Sequence, residues 1–179
     1  MAPFSESDQD QSSLDYCILR DGGVALYRAP EILIEDMNWL SNNKYQLYSL
    51  DCQRWISDDA MHSEWKSALS FPDYYGHNLN ALNDCLSDLP VPIVGGIALV
   101  LRRFDAYSKG AGAFAMPSGC SEAEVVLDIL AHTSRYFLLT GHRFFTLVQT
   151  DDPTANYGRL GGASAQWNRR EWLNKSRGL

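Results

Sequence analysis

Apolar positions change from strand-like to helical spacing and back along most of the chain. Tyr45 to Leu50 and Phe144 to Gln149 are strand candidates, and the apolar run Ile97 to Leu101 suits a strand buried on both faces. Apolar residues recur at helical spacing within Asp58 to Ser70 and within Ser121 to Arg135. Strands separated by helices predict an α/β fold with a parallel sheet and helices packed on it.

The two ends of the chain predict further elements. The segments Cys17-Ile18-Leu19 and Val24 to Tyr27, with Asp21-Gly22-Gly23 between them, predict a β-hairpin, which either extends the main sheet or forms a separate lobe. A helix is predicted from Pro30 to Leu40, and another in the tail from Ala163 to Asn174. The predicted organisation is a disordered N-terminus at 1–13, an added hairpin and helix at 14–43, the main domain at 44–150, and a loop with a basic tail at 151–179.

The most informative segment is residues 71–89, where an aromatic loop leads into a short helix. Gly76 permits a sharp loop conformation, Asn78 is a favourable N-cap, and Pro90 ends the helix. The apolar face holds Leu79, Leu82, Cys85 and Leu86, and the polar face holds Asn80, Asn83, Asp84 and Ser87. An ordinary solvated face is one interpretation. The absence of lysine and arginine favours an interaction surface, since solvated helices usually mix both charges.

The charge distribution supports an interaction surface. Residues 56–100 contain six carboxylates against the one base Lys66, which is a net charge of −5 out of the chain's −7. Such a field attracts positively charged partners and repels nucleic acid, whose phosphates require lysine and arginine. We therefore expect a basic protein as the partner of this region, with no direct binding of RNA or DNA.

The segment resembles a known family. The run from Pro72 to Gly76, followed by Asn78, Leu79, Ala81, Leu82, Asp84, Cys85 and Leu86, is similar to the central motif of the barstar family, the inhibitors of the ribonuclease barnase. The resemblance extends from about residue 45 to 150 and implies a three-stranded parallel sheet with packed helices. It also implies a cytoplasmic bacterial immunity protein or antitoxin, a monomer when free, that is not an enzyme. Its partner would be a cognate ribonuclease or nuclease toxin, and its acidic helix and tyrosine loop would occlude the nuclease active site.

The resemblance also implies which residues contact the partner. Asp84 falls on the helix aspartate that enters the nuclease's phosphate-binding centre, and Tyr74 falls on the contacting loop tyrosine. Asn80, Asn83 and His132 fall where the family has an aspartate, a tryptophan and a glutamate. These departures imply a nuclease whose site is charged differently from that of barnase. The full set of predicted partner-binding residues is Tyr74, Tyr75, Gly76, His77, Asn80, Asn83, Asp84, Ser87, Asp88 and His132.

Other classes of function have little support in the sequence. No run approaches the ~20 apolar residues of a membrane span, and the N-terminus lacks the pattern of a signal peptide. The four cysteines lie too far apart for a metal clamp and are expected to be buried thiols, so neither a metal nor a cofactor is expected. Residues 159–179 carry a net charge of +4. Packing of Trp167 and Trp172 on the domain, or pairing with the chain's own acidic surface, is expected of this tail in preference to binding nucleic acid. Two alternatives remain: a small hydrolase or nuclease that uses His77 or His132, and an adaptor for a protein that is not a nuclease.

Overall fold

The structure, a computed structural model, describes residue 4 and residues 13–117 and 119–179. The predicted disorder of residues 1–13 therefore concerns positions that lie almost wholly outside the described residues. The strands are β1 (Val24–Tyr27), β2 (Tyr45–Asp51), β3 (Gly96–Arg102), β4 (Phe144–Gln149), β5 (Arg159–Leu160), β6 (Ala163–Ser164) and β7 (Gln166–Trp167). The helices are α1 (Leu14–Arg20), α2 (Pro30–Asn42), α3 (Asp58–Leu69), α4 (Leu79–Ser87), α5 (Phe104–Ser108) and α6 (Glu122–Leu139), with short 3-10 turns at Cys52–Arg54, Ala111–Ala113 and Asn174–Arg177.

The main sheet is parallel throughout and has the strand order β2-β3-β4-β1-β7. Successive residues of a strand point to opposite faces. Ile97, Leu99 and Leu101 accordingly join the core beneath α3, α4 and α6. Ala98 and Val100 join a second core beneath α1 and α2. The predicted parallel sheet with packed helices is confirmed. The expected number of three strands was wrong, because β1 and β7 extend the sheet beyond β4.

The predicted N-terminal hairpin was also wrong. Residues 14–20 form helix α1, and Asp21-Gly22-Gly23 ends that helix instead of turning between two strands. The Gly23 amide donates to the Ile18 carbonyl oxygen at 2.8 Å and the Gly22 amide donates to the Leu19 carbonyl oxygen at 3.3 Å. This pair of bonds is the Schellman motif, and it requires a left-handed residue that glycine supplies. Gly22 has φ +109°. Strand β1 then enters the main sheet beside β4.

The C-terminal tail is not helical at Ala163–Asn174, contrary to the prediction. Gly161 and Gly162, with φ +55° and +94°, form a two-residue turn between the antiparallel strands β5 and β6. Strand β7 then pairs with β1, and the Asn168 amide donates to the Leu26 carbonyl oxygen at 2.9 Å. Pairing with the sheet edge therefore prevails over the local helical pattern. Arg170 of the tail forms ion pairs with Glu35 and Asp36 of α2, which lie outside the acidic segment 56–100. Trp167 packs against the core as expected, whereas Trp172 is 64% exposed.

Local capping fixes the helices on the face that carries the acidic motif. Ser57 and Asn78 cap α3 and α4 by accepting backbone N–H bonds, and α6 begins with a reciprocal capping box of Ser121 and Glu124. Helix α3 ends at Ser70 in the left-handed conformation, with φ +54°. Helices α4 and α6 pack against each other on this face of the sheet. The loop at residues 71–78 therefore connects two capped helices, α3 and α4.

Cysteine, metal and membrane features complete the description. No disulfide joins the four cysteines, all of which lie among the described residues. Cys17 and Cys52 are buried as expected, but Cys85 is only half-buried and Cys120 is exposed, so the expectation of buried thiols was wrong for Cys120. Within the described ranges no cluster of three or more metal-ligating side chains is found. None of the helices in those ranges is both long and apolar enough to span a bilayer.

Candidate partner-binding surface

Helix α4 separates into an apolar face and a polar face, as its sequence predicts. Leu82 and Leu86 are fully buried, and Leu79 and Cys85 pack against the same core from half-buried positions. On the other face Asn80, Asp84 and Asp88 are exposed, while Asn83 and Ser87 are half-buried. The helix contains no basic residue. Its surface toward solvent is therefore made of carboxylate and amide groups.

The exposed side chains of this face are not engaged within the described part of the chain. Those of Asn80, Asp84 and Asp88 make no hydrogen bond or ion pair with any other described residue. Ser87 differs, since its hydroxyl donates to the Asn83 carbonyl oxygen at 2.9 Å. The side chains of these three exposed residues, on α4 and at its C-cap, are thus free to form hydrogen bonds with a partner.

Acidic residues elsewhere on the molecule are mostly engaged. Asp51 forms an ion pair with Arg103, and Asp36 forms one with Arg170. Lys66, the base nearest in sequence to the motif, contacts Asp73 at 3.3 Å. The carboxylates of α4, in contrast, form no ion pair with another described residue. Their negative charge is therefore exposed to solvent or to a partner.

The loop before α4 presents one tyrosine outward and one inward. Tyr74 is 83% exposed, whereas Tyr75 is 5% exposed and lies 5.0 Å from Phe71 between ring centroids. The Tyr75 amide donates to the Pro72 carbonyl oxygen at 3.0 Å, which closes a tight turn with Tyr74 near its tip. Of the two tyrosines predicted to contact the partner, the structure therefore places Tyr74 on the surface and Tyr75 in the core.

Residues 76–78 set the entry into α4. The left-handed residue is His77, with φ +48°, and not Gly76. A Cβ on Gly76 would lie 3.0 Å from Asn78 Nδ2, and this nitrogen donates to the Gly76 carbonyl oxygen at 2.9 Å. Glycine is needed here for close approach and not for its own backbone angle. His77 lies beside α3, with Nδ1 3.8 Å from Asp59 Oδ1.

His132 is distant in sequence from the loop and from the other predicted site residues. It is exposed on α6, the helix that packs against α4. Tyr136 and Leu139, 45% and 83% exposed, follow it at helical spacing on α6. This exposed ridge adds apolar area that the sequence did not mark as part of a binding surface.

Two further features were missed at the sequence level. His62 is 2% exposed on α3 and contacts Tyr75, so it supports the loop from within. Its position next to Met61 on the buried stripe of α3 was the available signal. Ile93 and Val94, in the loop after α4, are 68% and 71% exposed. No sequence signal distinguishes them from core residues.

Comparison with known proteins finds two partial likenesses. A 60-residue segment is 42% identical to "Putative ribonuclease inhibitor YrdF" of Bacillus subtilis (strain 168). That match covers 32% of this chain and 59% of the relative, so the chain spans about three-fifths of the relative's length. Among solved structures, a chain of "Structure of Drosophila ORC bound to AT-rich DNA and Cdc6" matches with a TM-score of 0.45 and 14% identity, over 76% of this chain and 43% of that one. This last likeness is too weak to carry a conclusion.

The family assignment rests on a longer match. The sequence pattern of the family described as "Barstar (barnase inhibitor)" matches residues 45–149, from the start of β2 to the end of β4. It includes α4, the loop before it, and the three strands β2, β3 and β4. The match covers more than half of the chain, and the chain belongs to the barstar family.

Proposed function

We propose that this protein inhibits a ribonuclease by covering the enzyme's active site with α4 and the loop before it. The observation that carries the proposal is the exposed face of α4, which offers Asp84 and Asp88 without a base or an internal partner. Ribonucleases must hold a phosphate, and basic side chains are the usual means of doing so. A carboxylate that enters such a site forms short, charge-assisted hydrogen bonds.

Four of the predicted contact residues have a direct role in this proposal. Asp84 occupies the phosphate site, Tyr74 packs against the nuclease surface, and Asn80 and Asn83 donate and accept hydrogen bonds at the edge. The binding is stoichiometric and requires no turnover. The negative field around α4 accelerates encounter with a basic enzyme and makes the association rate sensitive to salt. Asn80 carries no charge where the family has an aspartate, which favours a partner with fewer bases than a site built to meet both carboxylates.

The test is a ribonuclease assay with the purified chain. Barnase and ribonucleases captured from the native host are titrated with wild type and with Asp84→Ala. Removing one partner of a desolvated charge pair costs about 3–5 kcal/mol, roughly two to three and a half orders of magnitude in affinity. Glu31→Ala is the matched control, because it removes the same charge from an exposed site on α2, under the opposite face of the sheet. We expect the control to change inhibition by less than about twofold.

The outcomes separate the alternatives. If Asp84→Ala inhibits as well as wild type while folding normally, α4 does not enter the active site. Capture of a protein without inhibition of any ribonuclease would indicate the adaptor function. Turnover of RNA by the chain alone, lost in His77→Ala, would indicate the hydrolase. The ion-pair contact that the described residues offer this alternative is the one between His77 and Asp59 at 3.8 Å.

A further inference from the structure

The loop at residues 71–78 is fixed from its inner side. Its exposed tip carries Tyr74, and the next residue, Tyr75, points into the core between α3 and α4. The Tyr75 hydroxyl lies 2.5 Å from Nδ1 of His62, and the two rings meet edge-on at 5.6 Å. His62 is 2% exposed, so this is a hydrogen bond between two buried side chains. Such a bond leaves a costly unpaired group when either partner is removed.

The other polar side-chain contacts between this loop segment and α3 are weaker. His77 Nδ1 lies 3.8 Å from Asp59 Oδ1, which is beyond hydrogen-bonding distance, and the Asp59 side chain is almost fully exposed. Lys66 and Asp73 contact each other at 3.3 Å, but the Asp73 side chain is fully exposed. Ion pairs of this kind contribute about 0–1 kcal/mol. The ring of His77 completes the inner side, at 5.4 Å from the Tyr75 ring and 6.1 Å from the His62 ring. The hydrogen bond to His62 is therefore the main polar anchor of the turn that exposes Tyr74.

We propose that His62 is a positioning residue, which holds Tyr75 and thereby keeps the loop in the shape that presents Tyr74 to the partner. The consequence for affinity rests on the proposed function of this surface. The consequence for loop order does not, because it follows from the contact alone. His62 touches no partner itself, and its effect is transmitted through Tyr75 and the turn.

The same contact makes loop order depend on pH. Burial lowers the pKa of His62 from its ordinary value, the nearby imidazole of His77 lowers it further, and Asp58 and Asp59 oppose these effects. Tyr75, whose own pKa is raised by burial and by Cys85 of α4, stays protonated as a donor. At low pH the imidazole of His62, which the loop and α3 enclose, has to take up a proton and become charged. A loop that opens exposes the imidazole and admits the proton more easily, so lower pH favours the open loop.

Amide hydrogen exchange of the peptide that contains residues 71–78 tests the proposal without any partner. Tyr75→Phe keeps the ring and removes the hydroxyl, and exchange corrected for intrinsic rates is expected to be at least about fivefold faster. Tyr27→Phe is the matched control, because it removes a hydroxyl that is bound to Asp36 under the other face of the sheet. It should leave exchange in this peptide unchanged. Equal exchange in wild type and Tyr75→Phe would overturn the proposal.

The pH dependence is tested with His62→Asn. The asparagine side-chain oxygen can accept the hydrogen bond near the position of Nδ1, but the side chain does not titrate. In wild type, corrected exchange of this peptide should rise as pH falls from 7.5 to 5.5. In His62→Asn it should stay flat, and the same rise in both proteins would overturn the proposal. Inhibition is then measured with the same variants, against barnase and against the ribonucleases captured from the native host. If wild type inhibits one of these enzymes but Tyr75→Phe inhibits it equally despite an open loop, the link between loop order and binding is refuted. If wild type inhibits no ribonuclease, the proposed function fails while the exchange data still decide the role of His62.

Discussion

Glu171 connects the C-terminal tail to the start of α2, and its removal should destabilise the whole fold. The side chain is 1% exposed. Its carboxylate accepts hydrogen bonds from the amides of Arg28 and Ala29 at 2.9 and 2.8 Å, and from Asn168 Nδ2 at 2.5 Å. The two amides stand at the N-terminus of α2, where a helix leaves donors without intrahelical partners and favours negative charge.

The size of the effect follows from these three bonds. Glu171→Ala leaves three donors without their charged acceptor, and hydrogen bonds to charged groups contribute about 1.5–3 kcal/mol each. Water can enter the space and recover part of the loss. We therefore expect the free energy of unfolding to fall by about 4 kcal/mol. Glu171→Gln keeps one acceptor oxygen and should lose roughly half as much.

Urea unfolding followed by far-UV circular dichroism measures the change. With an m-value of about 2 kcal/mol/M, the midpoint of Glu171→Ala should fall by about 2 M. The control is Glu31→Ala, an exposed carboxylate in the first turn of the same helix, which should cost no more than about 1 kcal/mol. If the two variants have the same midpoint, the tail does not stabilise the start of α2. The reasoning from the three hydrogen bonds would then be refuted.

Three further predictions concern the motif and can be checked by the same unfolding measurement. Asn78→Ala removes the acceptor of the Ala81 amide and should cost about 1 kcal/mol, whereas Asn78→Ser should retain most of the stability. Leu82→Ala opens a cavity at a fully buried site and should cost about 2–5 kcal/mol, against less than about 0.5 kcal/mol for the exposed Leu139→Ala. Because burial lowers the pKa of His62 below its ordinary value of 6.5, its neutral form contributes full stability above pH 6.5, and that contribution is lost as pH falls below 6.5. His62→Asn should remove this part of the pH dependence, and an unchanged slope would contradict the assignment.

The sequence predicted the helices and strands best where the local preferences of the residues and their burial in the fold favour the same structure. Strand β4 occupies Phe144–Gln149 as predicted, and the fully buried run Ile97 to Leu101 lies within β3. Helix α4 begins after Asn78 as its cap predicts. In each of these cases the apolar spacing, the capping or turn residues and the burial indicate the same element. Such agreement across levels is what makes a segment predictable.

The errors arose where a short segment suits two structures. Asp21-Gly22-Gly23 serves equally as a hairpin turn or as the end of a helix, and only the contacts of α1 decide between them. The tail was assigned to a helix, although its Gly161-Gly162 turn was a visible hairpin signal. For the binding surface, the sequence identified which residues are polar but could not show that Tyr75 is buried while Tyr74 is exposed. That difference is decided by His62 and Phe71, which pack against Tyr75 in the folded loop.

Strand β1 comes from the beginning of the chain, yet both of its neighbours in the sheet come from the end. Val24 pairs with Thr146 on β4, and Leu26 pairs with Trp167 on β7. These partners lie more than ~100 residues apart along the chain. Contacts of such separation slow folding, because the entropy of closing the intervening chain is lost before the contacts contribute any stabilising free energy. During synthesis β2 and β3 can meet well before β4 has been made, while β1 has to wait. Completion of the sheet should therefore be a late, slow step that cannot take place before residues 166–167 of β7 have been made.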